Sequence, residues 1–225
     1  MKAKTLISFL SLLLIGISFN AGAHPSNAHR IYNRFVDDVV IVKTSDGFGT
    51  GVIFDDHILT CAHIVEREAY DTTYHDSCGV SLFTVDSMMV VDSNITIYFF
   101  DGISVPGSVM KYDHEKDLAE ISVPILPLAR SLTLGSNPMI GDNVFQIGHP
   151  AGAFFSYSEG KVMYPARRMK GIIMFQLDMT AYPGSSGSPI FNSKGELVGM
   201  YDSMFPQTSI GFAISVNEIQ EFLDE

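Results

Sequence analysis

Residues 49–63 read GTGVIFDDHILTCAH. Two short apolar runs, 49–54 and 58–61, flank the turn-forming pair Asp55-Asp56, which is the pattern of two consecutive β-strands. The second run leads into His63, followed by residues that favour one helical turn. The stretch predicts a β-rich fold and supplies a first candidate base, because histidine is the side chain that changes protonation near neutral pH.

Similar short runs follow along most of the chain, with turn residues rather than helical periodicity between them. The Pro- and Gly-rich segment 124–138 separates two series, because proline is excluded from central strands. Beyond the opening stretch, the predicted strands are 88–91, 95–100, 105–112 and 118–123 before the break, and 143–147, 156–163, 172–177, 189–191, 196–201 and 210–214 after it. This spacing predicts an all-β protein, built as barrels or sandwiches, with two six-stranded halves.

The two ends differ from this pattern. Residues 24–42 are interpreted as an N-terminal arm, helical or extended, that docks on its own core or on another subunit. Residues 43–128 and 129–225 are assigned to the first and second β-domains. The last eleven residues predict a short helix with a capping box of Ser215 and Glu218. The apolar faces consist of Ile31, Tyr32, Phe35 and Val36 in the arm, and of Val216, Ile219 and Phe222 or Leu223 in the helix.

Composition narrows the function classes. The chain has 225 residues, of which 46% are apolar and 17% charged, so it can form a core and is not disordered. With 14 basic against 25 acidic residues, the net charge of −11 argues against nucleic acids and anionic membranes as partners. Two cysteines are too few for a disulfide-rich scaffold.

The N-terminus predicts a cleaved signal peptide over residues 1–23. Lys2 and Lys4 precede the uncharged run 6–19, and Ala21-Gly22-Ala23 has the small residues of a cleavage site. The run is shorter than the roughly 20 residues that a membrane anchor needs. A soluble acidic protein, periplasmic or secreted and without stable membrane insertion, is the expectation.

Residues 182–189 read YPGSSGSP. A serine between glycines fits a tight turn that exposes its hydroxyl and directs backbone N–H groups into one concavity. Such a turn suits a nucleophile, Ser186, although a plain Gly/Ser hairpin loop has the same composition. Because a hydroxyl needs a base and the base needs an orienting carboxylate, His63 and Asp117 are the candidate partners. Asp101 and Asp113 are rival carboxylates on predicted turns.

These segments resemble the trypsin-like serine proteases, most closely the bacterial HtrA type, over about residues 38–220. The motifs occur in the order of that family. They are 49–54 with 58–63 (similar to G-S-G-V-I and I-L-T-x-x-H), 117–119 (D-L-A), 147–152 (I-G-N-P-x-G), 176–178 with 184–187 (Q-T-D and G-N-S-G), 195–199 (G-E-L-I-G) and 211–214 (G-F-A-I).

The resemblance implies a double six-stranded β-barrel with a short C-terminal helix and the active site between the barrels. It implies a serine endopeptidase in which His63, Asp117 and Ser186 form the triad, Gly184, Ser185 and Ser186 form the oxyanion hole, and an acyl-enzyme is made without cofactor or metal. Protein or peptide substrates are the expected partners, with a homo-oligomer through the arm as a further option. The alternative is a peptide-binding or chaperone-like protein that keeps the cleft without hydrolysis.

Departures from the family pattern limit what the resemblance implies. Ser185 replaces the usual Asn or Asp, so activation by a newly cleaved N-terminus is not expected. Ser188-Pro189 is similar to secreted glutamyl endopeptidases, but those enzymes use a His where this chain has 201–203. The predicted specificity pocket consists of Thr180, Ala181, Tyr201, Asp202 and Ser203, and Asp202 would favour a basic side chain only if it points inward. From the length of the sequence, no appended PDZ domain is expected.

Two interpretations concern the segment 66–88. It predicts a surface loop pinned by a Cys61–Cys78 disulfide, although both cysteines could instead stay buried as thiols. A metal site of His57, His75 and Asp76 is a weaker alternative, because no ligand spacing supports it.

Overall fold

The structure is a computed structural model that describes residues 26–77, 80–126, 132–179 and 181–225, with side chains outside 70–87. The predicted signal peptide therefore lies outside the described residues. No helix within these ranges is long and apolar enough to cross a membrane. The helices are α1 (Asn27–Phe35), α2 (Ala62–Val65) and α3 (Val216–Asp224). The strands are β1 (Val39–Lys43), β2 (Phe48–Phe54), β3 (His57–Thr60), β4 (Glu66–Ser77), β5 (Val80–Val91), β6 (Ile95–Tyr98), β7 (Ser104–Asp113), β8 (Leu118–Ser122), β9 (Asn143–Gly148), β10 (Ser156–Met169), β11 (Ile172–Asp178), β12 (Pro189–Phe191), β13 (Leu197–Met204) and β14 (Ile210–Ser215).

Twelve strands form two closed antiparallel barrels. The first has the order β1-β2-β3-β8-β7-β6 and the second β10-β11-β14-β13-β12-β9. Inward-facing residues of each barrel make separate cores, exemplified by Ile53 and Ile121 in the first and by Phe175 and Ala213 in the second. A third apolar cluster joins residues of both barrels with α1 and α3. The predicted all-β fold with two six-stranded halves is confirmed. The sixth strand of the first barrel is β1, whereas the predicted strand 88–91 lies in β5, outside the barrel.

The segment predicted as a surface loop is instead a β-hairpin. Strands β4 and β5 pair antiparallel along twelve positions, from Glu66 opposite Val91 to Ser77 opposite Val80, and form a separate two-stranded sheet. The loop prediction over 66–88 is therefore wrong. Its basis was the polar composition of the segment, but pairing of backbone N–H and C=O groups in a hairpin does not depend on an apolar face.

The N-terminal segment docks on its own chain. Ser26 caps α1 by accepting a hydrogen bond from the His29 N–H. The buried Phe35 ring stacks on Phe191 of β12 at 4.4 Å between centroids, and Tyr32 Oη donates to the Phe155 carbonyl. The apolar face that we considered for contact with another subunit is thus buried against the second barrel. The assigned arm is also too long, because β1 of the first barrel begins inside it.

Replacing Phe35 by alanine is expected to lower the free energy of unfolding by about 3–5 kcal/mol, because it removes a fully buried ring from a packed interface. Chemical denaturation measures this loss. The matched control is Arg30→Ala on the exposed side of the same helix, for which we expect a change within about 0.5 kcal/mol. Equal effects of the two substitutions would contradict the docking of α1.

The C-terminal helix is present, but its predicted capping box is not. The Ser215 side chain makes no capping hydrogen bond, and Glu218 accepts from the Ile173 N–H of β11 at 2.7 Å. The predicted stripe is buried through Val216, Ile219 and Phe222. Glu218 therefore ties the helix to the second barrel, because a backbone N–H at the start of β11 competes successfully for its carboxylate.

Candidate active site

His63 and Asp117 are joined by two hydrogen bonds. His63 lies in the short helix α2 directly after β3, and Asp117 precedes β8, the neighbour of β3 in the first barrel. Nδ1 of His63 is 2.7 Å from Asp117 Oδ2, and the His63 backbone N–H donates to Asp117 Oδ1 at 2.8 Å. The carboxylate therefore fixes both the ring orientation and the backbone of the candidate base.

The turn before β8 presents Asp117 to the histidine. Asp117 has a φ of 56°, in the left-handed region that aspartate tolerates better than most residues. Asp113 builds this turn by accepting the N–H groups of Glu115 and Lys116, and Asp101 accepts from Ile103. The two rival carboxylates thus serve their own turns, and Asp117 is the one beside His63.

His63 and Asp117 each stabilise the charged form of the other. Burial acts to lower the pKa of His63, but the hydrogen bond and charge of Asp117, with the charge of Asp202, outweigh it and raise the pKa above the ordinary 6.5. Burial acts to raise the pKa of Asp117, yet hydrogen bonds to His63 and Asp202 leave it well below its usual range. Asp117 therefore stays ionised wherever the imidazole titrates.

Ser186 lies in the cleft between the barrels, on a loop of the second barrel that is hydrogen-bonded to the first. Its carbonyl accepts from the Thr50 N–H of β2, and Thr50 Oγ1 donates to the Gly184 carbonyl at 2.7 Å. A Cβ on Gly187, whose φ is +79°, would lie 2.0 Å from the Thr50 carbonyl oxygen. The first barrel thus fixes the loop of the second, which is a role of Thr50 that the sequence did not reveal.

The hydroxyl of Ser186 donates to the Asp202 carbonyl oxygen at 3.0 Å. His63 and Ser186 line one cavity of about 390 Å³, although no hydrogen bond joins them within the described chain. A rotation of the serine side chain is required for its Oγ to reach the imidazole. The structure therefore brings the candidate nucleophile and the candidate base to one site, with the Ser186 hydroxyl turned away from His63.

The backbone of the same loop contains two free donors. The N–H groups of Gly184 and Ser186 donate to no described residue, whereas the Ser185 N–H donates to the Tyr182 carbonyl. Ser185 Oγ accepts from the Tyr182 N–H in return. The predicted oxyanion contribution of the Ser185 N–H is thus corrected, because that group is already used to close the turn.

Three of the five residues predicted for the specificity pocket line the same cavity as His63 and Ser186. Tyr201, Asp202 and Ser203 line the 390 Å³ cavity with Tyr182 and Lys170. Ala181 is instead buried in the core of the second barrel, and Thr180 lies outside the described residues. The Asp202 carboxyl is fully buried and faces His63, so the condition for selecting a basic side chain is not met. A larger cavity of about 640 Å³ beside Ser26 has no histidine or cysteine among the described residues that line it.

Cys61 carries a free, buried thiol whose Sγ donates to the Tyr201 carbonyl. Burial, with the charges of Asp117 and Asp202, raises the pKa of this thiol well above its usual range. The predicted Cys61–Cys78 disulfide involves Cys78, which lies outside the described residues, and Cys61 itself is a free thiol in the structure.

Donor atoms of Cys61, His63, Asp117 and Asp202 lie within 4.8 Å of one another, a spacing that metal sites also use. His63 Nδ1 is hydrogen-bonded to Asp117, and burial raises the pKa of the Cys61 thiol, so neither atom is readily available as a metal ligand. Of the weaker alternative set, His57 pairs with Asp56, and the side chains of His75 and Asp76 lie outside the described ones.

His149, which stands where the family motif has Asn, is a structural residue. It is fully buried, and its Nδ1 accepts the Phe155 N–H at 3.0 Å. Burial lowers the pKa of the imidazole to about 4, so it stays neutral near physiological pH. It is therefore unsuited to hold a charge near neutral pH, and His63 remains the candidate base.

Comparisons with known proteins agree with this geometry. The profile of the trypsin-like peptidase domain matches residues 49–200. The chain is 25% identical over 202 residues to the serine protease Do-like HtrA of Bacillus subtilis, covering 81% of this chain and 40% of the relative. It is 24% identical over 156 residues to a DegP-like periplasmic serine endoprotease of Hahella chejuensis, covering 64% and 32%. The chain thus spans well under half of these relatives.

Among solved structures, the HtrA-type protease AlgW with a tripeptide superposes with a TM-score of 0.72 at 22% identity, over 89% of this chain and 63% of that one. The Rv3671c protease in its inactive form gives 0.68 at 21% identity, over 86% and 91%. These likenesses support the double-barrel fold. Since the family profile spans more than half of the sequence and both barrels, the chain belongs to the trypsin-like peptidase family.

Proposed function

We propose that the protein is an exported serine endopeptidase that hydrolyses protein or peptide substrates through an acyl-enzyme. Ser186 attacks the scissile carbonyl, His63 takes the serine proton and gives it to the leaving amine, and Asp117 holds the imidazole. The observation that carries the proposal is the doubly hydrogen-bonded His63–Asp117 pair in the same cavity as Ser186.

The two free backbone donors support the same reaction. The N–H groups of Gly184 and Ser186 would bind the oxyanion of the tetrahedral intermediate, and in comparable sites one such donor contributes about 3 kcal/mol to transition-state binding. Hydrogen bonds from Thr50 already hold the loop that carries these donors, so the loop does not need to rearrange when substrate binds. Export is supported by the signal-like residues 1–23 and by the periplasmic relative.

One observation favours a second candidate, a protein that binds peptides in the cleft without cleaving them. Ser186 Oγ donates to the Asp202 carbonyl and not to His63. If the hydroxyl stays there, no base can remove its proton. Hydrolysis of an unfolded protein substrate by the purified chain, with loss in Ser186→Ala, separates the two candidates; binding without any cleavage would favour the second.

The pH dependence of hydrolysis is expected to identify the base. His63 must be neutral to accept the serine proton, and its raised pKa keeps it charged to a higher pH than free histidine. We therefore expect kcat/KM to fall as the pH decreases and to reach half its maximum above pH 6.5. A profile that stays flat from about pH 5 to about pH 9 would contradict this assignment.

A further inference from the structure

Asp202 lies in a β-bulge next to the triad. In the pairing of β13 with β14, Tyr201 is opposite Ala213 and Ser203 is opposite Phe212, so Asp202 is the extra residue. Its carbonyl accepts from Ser186 Oγ, and its carboxyl is fully buried. The bulge thus brings the backbone of Asp202 to the nucleophile and its side chain to the base.

The two carboxyl oxygens have different surroundings. Oδ2 accepts from Ser203 Oγ at 2.6 Å and lies 3.6 Å from the Lys170 ammonium, on the turn between β10 and β11. Oδ1 lies 3.9 Å from His63 Nδ1, which is too far for a hydrogen bond, and no described residue donates to it. A buried oxygen of this kind requires a partner.

Asp117 supplies that partner if one of the two carboxyls holds a proton. One carboxyl oxygen each of Asp117 and Asp202, a ring nitrogen of His63 and Sγ of Cys61 lie within 4.8 Å of one another. Asp117 is already committed as an anion to His63, so the shared proton belongs on Asp202. Burial raises the pKa of Asp202, and the hydrogen bond to Asp117 and its charge raise it further, against smaller effects of Ser203 and Lys170.

We propose that Asp202 is a positioning residue of the triad, whose carboxyl group donates to Asp117 when protonated and, when ionised, holds the proton on His63 more tightly. The inference rests on the proposed function, since it concerns the same base. The charged and titratable groups around the carboxyl are Cys61 after β3, His63 in α2, Asp117 before β8, Lys170 after β10 and Tyr201 beside it. Among them, Lys170 and His63 carry the opposing positive charge.

The test compares Ser186→Ala with the double variant Ser186→Ala/Asp202→Asn by NMR titration of the His63 imidazole. The amide keeps the shape and can still donate to Asp117, but it removes the second negative charge. We expect the pKa of His63 to fall by about one pH unit, since a charge at this distance stabilises the imidazolium. Asp178→Asn, which neutralises an exposed carboxylate of β11, is the control without a shift.

An unchanged His63 titration in the folded double variant would overturn the proposal. If that variant does not fold, the titration of Ser186→Ala alone decides: two steps in the His63 signal are expected as Asp202 ionises, and a single step would refute it. Both titrations are measured without hydrolysis, so a failure of this proposal can be distinguished from a failure of the proposed function. In active protein, Asp202→Asn should move the acid limb of kcat/KM to lower pH, whereas loss of a merely structural contact would lower activity at every pH.

Discussion

Replacement of Ser186 by alanine is expected to lower kcat for hydrolysis of an unfolded protein by about a millionfold. The substitution removes the oxygen that we propose forms the acyl bond, while the loop keeps its hydrogen bonds from Thr50, because these involve the backbone carbonyls of Gly184 and Ser186. Binding of substrate in the cleft should therefore survive. Steady-state kinetics on a fluorogenic protein substrate, together with a binding measurement, checks both expectations.

Ser193→Ala is the matched control, because Ser193 is an exposed serine on the turn between β12 and β13, away from the cleft. Its kcat should equal that of the unaltered protein. If Ser186→Ala retained substantial activity, the nucleophile would be a different residue and the assigned triad would be wrong.

The second large effect is expected for Asp117→Asn, which should lower kcat by about ten-thousandfold near neutral pH. The amide fills the same space, but it favours the wrong tautomer of His63 and no longer stabilises the imidazolium. Because two hydrogen bonds join Asp117 to His63, we expect the substitution to act through the histidine and to lower kcat more than stability. Thermal unfolding measured in parallel establishes that the variant is folded.

Asp113→Asn provides the comparison within the same turn. Among the described residues, the Asp113 carboxylate accepts the N–H groups of Glu115 and Lys116, and an asparagine oxygen can accept them as well. We expect less than about a threefold change in kcat, as for a surface substitution with little effect on stability. A larger loss in Asp113→Asn than in Asp117→Asn would show that the wrong carboxylate has been assigned.

The double barrel could be predicted from the sequence because its signals are local. Short apolar runs bounded by turn residues mark every barrel strand except β1, which the sequence placed in the arm, and the prolines after residue 123 mark the crossing between barrels. The nucleophile and base could be proposed for the same reason, since His63 and Ser186 each stand at a strand end or a glycine turn. Such positions depend on neighbours in the chain.

Features that depend on contacts between segments could not be predicted. The polar composition of β4 and β5 suggested a loop, and only their pairing with each other establishes strands. Thr50 acts on a loop 134 residues away, through its bond to Gly184. Similarly, Ser215 and Glu218 fit a capping box, but the Ile173 N–H of another strand claims the carboxylate.

The orientation of Asp202 is the most consequential of these cases. Regular alternation along β13 leaves two options, into the specificity pocket or away from it. The bulge between Tyr201 and Ser203 breaks the alternation and turns the carboxyl to His63 and Asp117. A residue predicted to select substrate side chains is therefore better explained as part of the surroundings of the base.

The central claim is that Ser186 is a nucleophile activated by His63 and Asp117, and covalent labelling with a fluorophosphonate tests it most directly. Attack of the serine oxygen on phosphorus expels fluoride and leaves a stable adduct that mass spectrometry assigns to one residue. We expect a single adduct on Ser186, absent in Ser186→Ala and much slower to form in Asp117→Asn. Folded protein that remains unlabelled at every pH from about 5 to about 9, with and without peptide substrate, would contradict the account.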